Sequence, residues 1–234
     1  MITHKIKFQE NGDMMRVAIF DFDGTLYKNE TFQLMMDHFK HHPIYKDRYS
    51  AFFRKLLPRY LGYKLKLYPE TRMKERSMQL YIAGLGALTP EDMQTYFQEI
   101  ANKARPDFNK QVVEKFHQHH ADGVYTLLVS GAYTPLLERA TEHLPFDAII
   151  GTDIPFKDNI VDYNRKIHHI QGERKNKHIQ AVLENKHIDW ENSFAYGDSF
   201  SDLPVLELVG NPVAVCPDEQ LATIAKDRKW TILQ

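Results

Sequence analysis

Two rhythms of apolar positions run along this chain. Met15-Arg16-Val17-Ala18-Ile19-Phe20 is a short apolar run, and Asp21-Phe22-Asp23-Gly24-Thr25 follows it, which predicts a buried strand closed by a turn. Val124 to Val129 predicts a second buried strand ending in Ser130-Gly131, and Ser193 to Tyr196 a third ending in Gly197-Asp198. From about Glu30 to Arg105 the rhythm is helical instead. Phe32, Leu34, Met35, Met36 and Phe39 mark one amphipathic stretch, and Tyr49, Phe52, Phe53, Leu56, Leu57, Tyr60 and Leu61 a second. Met73, Met78, Leu80, Tyr81 and Ile82 mark a third, and Thr89-Pro90-Glu91-Asp92 supplies a cap, a first-turn proline and first-turn acids for a fourth. Helices resume after Pro106 with Val112, Val113 and Phe116. Strands that alternate with helices predict an α/β fold, a doubly wound and mostly parallel sheet with a helical insert.

Composition narrows the picture modestly. At 234 residues, 43% hydrophobic and 26% charged, the chain has the make-up of an ordinary globular protein. A net charge of −1 offers no global attraction to nucleic acid, and none is expected as a partner. No run of about 18 apolar residues predicts a membrane span. Residues 1 to 14 carry Lys5, Lys7, Glu10 and Asp13 without a sustained apolar stretch, so they read as a loosely attached extension and not as a secretory leader. The single cysteine, Cys216, excludes an internal disulfide, reads as structural, and makes a cytoplasmic setting the default. Of the twelve histidines, the clusters His41-His42, His117 with His119 and His120, and His168-His169 lack a completing Cys or Asp and read as solvated.

The chemistry sits at the strand ends. Asp21 and Asp23 are two residues apart at the mouth of a strand, a spacing that suits a nucleophile and a proton-transfer partner. Such a pair needs a cation, or needs one member protonated. Gly24 lets the chain turn away sharply. Ligands of doubly wound folds bind at the carboxyl ends of the strands, which brings Ser130-Gly131, the helix opened by Gly172-Glu173-Arg174-Lys175, and Gly197-Asp198 through Asp202 to one crevice.

In this order the motifs resemble the haloacid dehalogenase superfamily of aspartate-nucleophile phosphatases, over roughly residues 15 to 222. The branch resembled is that of phosphoserine phosphatase, with Tyr196 to Pro204 and Val209 to Val215 especially similar. The resemblance implies a Rossmann-like hydrolase core at residues 1–29 and 106–234 and an α-helical cap domain at 30–105. It makes Asp21 the nucleophile and Asp23 the general acid and base. Ser130, Gly131 and Lys175 would hold the phosphoryl group, Lys177 being the alternative lysine. Asp21, the backbone carbonyl of Asp23 and Asp198 would hold Mg2+, with Asp202 orienting that site from behind. Magnesium takes oxygen ligands and offsets the repulsion between carboxylate and phosphate.

The expected reaction is Mg-dependent hydrolysis of a small phosphorylated metabolite through an aspartyl phosphate. Glu30 permits a phosphoserine reading, in which it meets the substrate amine and Arg72 or Arg76 the carboxylate. Gly24, where phosphoserine phosphatases usually carry serine, argues against that reading. Lys46 to Arg76 holds ten basic residues against three acids, with six aromatics interleaved. An ordinary amphipathic lid, aromatics packed inward and basic groups in water, is favoured there over contact with lipid phosphates or a membrane surface. A phosphatase-like module that binds without hydrolysing stands as the alternative of another class, and the oligomeric state is open.

Overall fold

The computed structural model describes residues 14–234; the reading of the amino-terminal segment as an extension lies, for residues 1–13, outside them. Strand β1, Val17–Phe20, is buried along its whole length. Its side chains alternate between two apolar clusters, Ala18 and Phe20 in one and Val17 and Ile19 in the other, as the twofold period of a strand dictates. Four helices follow: α1 Thr31–His41, α2 Lys46–Lys64, α3 Glu70–Leu85 and α4 Pro90–Ala104. The last begins on a reciprocal cap, Thr89 accepting from the Asp92 amide while the Asp92 carboxylate accepts from the Thr89 amide.

Helix α5, Lys110–Ala121, leads into strand β2, Tyr125–Tyr133, then α6, Thr134–Ala140, and β3, Ala148–Thr152. A two-stranded hairpin, β4 Phe156–Lys157 and β5 Ile160–Val161, precedes α7, Glu173–Val182. Strand β6, Phe194–Gly197, short helix α8, Leu203–Leu206, strand β7, Asn211–Val215, helix α9, Glu219–Asp227, and strand β8, Thr231–Leu233, complete the chain. The main sheet has the order β3-β2-β1-β6-β7-β8, and every neighbouring pair is parallel. After β1 the chain builds outward on one side through β2 and β3, then crosses to the other through β6, β7 and β8. A crevice therefore opens at the carboxyl end of the central strands.

One expectation changes in detail. Strand β2 does not end at Ser130-Gly131 but runs through it to Tyr133, with its register against β3 shifting between Val129 and Tyr133. The irregularity replaces the expected turn, as bulges beside functional sites commonly do. The helical insert also shares its interior with the sheet. Phe39, Phe52, Tyr81 and Phe97 belong to the same cluster as Phe20, Leu128 and Tyr133.

Candidate active site

Asp21 is the first residue beyond β1, and its amide donates to the Tyr196 carbonyl at 3.0 Å, so β6 fixes its height above the sheet. The chain then folds back, with the Tyr27 amide donating to the Phe22 carbonyl at 2.8 Å. Gly24 has φ of +72° and lies against the Asp198 carboxylate; a Cβ there would sit 2.1 Å from Asp198 Oδ2. The turn brings Asp23 under the start of α1. Its carboxylate accepts from the Thr31 amide at 2.7 Å and from Thr31 Oγ1 at 2.9 Å. Asp23 thus caps a helix that begins eight residues later, at the end where a negative charge is favoured.

Lys175, in the first turn of α7, is buried and bridges two carboxylates. Its Nζ donates to Asp21 Oδ1 at 2.5 Å and to Asp202 Oδ1 at 2.6 Å. Lys177 is exposed. Carboxylate oxygens of Asp21, Asp198 and Asp202 lie within 4.8 Å of one another. Asp202 is also held by Ser199, whose hydroxyl donates at 2.9 Å and whose amide donates at 3.2 Å. Thr25 Oγ1 donates to Asp198 at 3.4 Å. Ser130 is buried beside them, its Oγ accepting from the Ala132 amide at 3.0 Å.

The electrostatics follow from this crowding. Burial, then the Asp202 charge, pushes the Asp21 carboxyl well above the usual range against the pull of Lys175. Burial, then Glu30, raises Asp23 to about 7, the Thr31 hydrogen bonds opposing. Burial, then Asp202 and Glu30, raises Asp198 to about 7. For Asp202 burial acts upward but is outweighed by the Lys175 charge and hydrogen bond, so its carboxyl is held low. For Lys175 burial acts downward and is outweighed by Asp21 and Asp202, which hold the ammonium above its ordinary value. One buried cation faces four buried or half-buried carboxylates. A hard divalent cation fits that donor set, since the converging atoms are all oxygens and the excess charge is negative.

Two expectations about site residues change. Arg72 and Arg76 are exposed and do not line the crevice, whereas Glu30 does. The neighbouring Glu75 instead joins α3 to the core, accepting from Arg174 Nη1 at 2.6 Å. The histidines are not uniformly solvated either. His119 is buried, with Nε2 2.7 Å from the Tyr196 hydroxyl. His169 lines the crevice, its Nδ1 3.1 Å from the Gly131 carbonyl, so Nδ1 carries the proton; a Cβ on Gly131 would meet its ring at 2.2 Å. Burial, then Lys74, lowers His169 to about 4.

His38 and His42 are also buried, each with Nε2 3.5 Å from Glu99. His38 Nδ1 faces Lys103 Nζ at 3.0 Å and His42 Nδ1 accepts from the Ile44 amide at 3.1 Å, which leaves both Nε2 atoms protonated. Imidazoles in that tautomer present protonated Nε2 atoms toward Glu99, not lone pairs for a metal, and His38 Nε2 has no hydrogen-bond partner among the described residues. Asp218 escaped the sequence reading as well; it caps α9 at Leu221, accepts from the Phe200 amide at 2.8 Å and lines the crevice.

A parallel α/β sheet with carboxylates on the ends of its central strands and a buried lysine between them defines a hydrolase-type core. The chain belongs to the haloacid dehalogenase-like hydrolase family, whose model matches residues 18–207. It is 29% identical over 128 residues to a Streptomyces azureus protein described as an inhibition of morphological differentiation protein, covering 55% of this chain and 46% of that one. It is 50% identical over 38 residues to phosphoserine phosphatase SerB1 of Mycobacterium tuberculosis, covering 16% of this chain and 12% of that one. The chain thus spans less than half the length of these curated relatives. Among solved structures, a Bordetella pertussis protein of unknown function superposes with a TM-score of 0.78 at 21% identity, over 95% of this chain and 99% of that one. A phospho-aspartyl intermediate analogue of phosphoserine phosphatase superposes at 0.60 and 16% identity, over 94% and 93%. At such identities the likeness is one of fold.

Proposed function

We propose that the chain is a Mg-dependent phosphomonoester hydrolase acting through an aspartyl phosphate on Asp21. The observation that carries this reading is the convergence of Asp21, Asp198 and Asp202 around Lys175, with Asp23 held apart by Thr31. Asp21, Asp198 and the Asp23 carbonyl would hold the cation, with Asp202 behind them, and when bound it offsets the repulsion between carboxylate and phosphate.

Asp21 Oδ attacks phosphorus and the bond from phosphorus to the ester oxygen breaks. Asp23, with a pKa of about 7, gives its proton to the departing alkoxide. As a carboxylate it then takes a proton from the water that attacks phosphorus, and the bond from phosphorus to Asp21 breaks to release phosphate. Lys175, together with Ser130 and the Gly131 amide, holds the equatorial oxygens. The insert, residues 30–105, serves as a lid that excludes water. The lone cysteine supports a cytoplasmic setting, and among the described residues no helix is long and apolar enough to cross a membrane.

Release of phosphate from an aryl phosphate tests the reading. Turnover is expected with magnesium and is abolished by EDTA. Asp21→Asn removes it, and Asp23→Asn slows it by about 10²–10⁴-fold while labelled phosphoenzyme accumulates. Near-normal activity of Asp21→Asn excludes the covalent route, and folded protein inert with magnesium points to a binding module.

A further inference from the structure

The crevice is larger and more apolar than a small phosphate ester requires. It encloses about 900 Å³, the upper end of the range for small-molecule sites. Its inner end is the carboxylate cluster with Lys175. Its outer part runs between α1, α2 and α3, where Met36, Phe53, Leu57, Tyr60 and Met73 form the walls over Met35 and Met78. The charged side chains among those outer walls, Glu70 and Lys74, pair with each other at 2.9 Å. Arg72 and Arg76 stay outside. Glu30 lines the crevice, but the arginines expected to meet an amino-acid carboxylate do not, and Lys74 is already paired.

The lid's aromatics pack inward only in part, with Tyr49 against the core beside Phe52. Of the six, Phe52 alone is buried, while Phe53 and Tyr60 are exposed by 40% and 42%. Phe53, Leu57, Tyr60 and Leu61 recur at positions i, i+4, i+7 and i+8, one face of α2. This row starts inside the crevice and continues past the helix end to Leu65 and Leu67, which are exposed by 68% and 80%. Basic residues flank it: Arg54, Lys55, Arg59, Lys64 and Lys66. An apolar row left exposed among the described residues, continuous with a site for a phosphate, matches a ligand with an anionic head and a long apolar tail.

We propose that the substrate is the phosphate monoester of a long-chain, amphiphilic alcohol, its head at Lys175 and its chain along the α2 row. The proposal rests on the phosphatase reading above and narrows its leaving group. Covering a methylene with apolar wall is worth roughly fourfold in affinity at full burial. Specificity for chain length should therefore be steep until the groove is filled.

A series of n-alkyl phosphates from ethyl to dodecyl, assayed below their micellar concentrations, reads this directly. The expected kcat/KM rises two- to fourfold per methylene over at least four methylenes, mainly through KM. In Phe53→Ala/Leu57→Ala the ratio of dodecyl to ethyl specificity falls at least tenfold. Ile160→Ser, which removes an exposed apolar side chain outside the crevice, leaves the ratio unchanged. Presenting dodecyl phosphate in phosphatidylcholine vesicles separates two sources: faster hydrolysis there marks a membrane lipid, and faster hydrolysis as monomer marks a soluble amphiphile. A flat chain-length profile overturns the proposal while leaving the phosphatase intact, and so does phosphoserine outcompeting every alkyl ester. Failure of all esters, ethyl phosphate included, overturns the phosphatase reading itself.

Discussion

Gly24 shows how one residue sets the spacing of a site. Its positive φ of +72° is a region that L side chains enter at a cost, and the space where a Cβ would go is taken by Asp198. Any side chain here has to displace the Asp198 carboxylate. Gly24→Ala should destabilise the fold by about 1–3 kcal/mol through backbone strain and displacement of Asp198. In a thermal melt that is a fall of roughly 5 °C. On the proposed magnesium-dependent reaction, displacing Asp198 should also raise the magnesium needed for half-maximal activity. Wild-type melting and an unchanged magnesium requirement would show that the turn relaxes freely.

Among the elements, α5 and β6 meet through a buried polar contact, His119 with the Tyr196 hydroxyl, beneath the stacked rings of Tyr196 and Phe20. Burial, then Lys115, lowers His119 to about 4. In the unfolded chain it titrates near its ordinary value of about 6.5. The unfolded state therefore binds more protons between those two values. The contribution of neutral His119 is complete above pH 6.5 and is lost as pH falls toward 4. His119→Gln keeps a hydrogen-bonding partner for Tyr196 but cannot titrate. Urea midpoints at pH 7 and pH 5 should fall less for the variant than for wild type. Parallel losses in the two proteins would remove His119 from the acid response.

Across the whole molecule, sheet and insert share one apolar interior, and polar links cross between them. The Tyr133 hydroxyl of β2 donates to the Met78 carbonyl of α3 at 2.7 Å, and the Arg174 guanidinium of α7 donates to the Glu75 carboxylate of α3 at 2.6 Å. Phe97 of α4 is fully buried, its ring centroid 5.5 Å from that of Tyr133. A shared interior makes unfolding cooperative across the insert boundary. Phe97→Ala should cost about 3–5 kcal/mol, with circular dichroism and aromatic fluorescence moving in one transition. Two separated transitions would mean that the insert melts as an independent unit.

The sequence by itself determined the elements and the chemical groups. Strands β1, β2 and β6 and helices α1 to α5 follow from periodicities that are local properties of the chain, and so does the Thr89–Asp92 cap. Asp21, Asp23, Asp198 and Asp202 stand at or just past strand ends, Lys175 stands in the first turn of a helix, and the resemblance links them in the sequence while the fold brings them to one crevice. Tertiary structure alone decided what lies behind and around them. His169 backs Gly131 from 38 residues away, Lys175 reaches Asp21 across 154, and Arg174 meets Glu75 across 99. No local pattern encodes such partners, because they depend on which strand ends and helix turns become neighbours. The uncovered face of α2 was illegible for the same reason. An apolar row at helical spacing looks alike whether the fold buries it or leaves it open, and here, among the described residues, Phe53, Leu57 and Leu61 stay exposed.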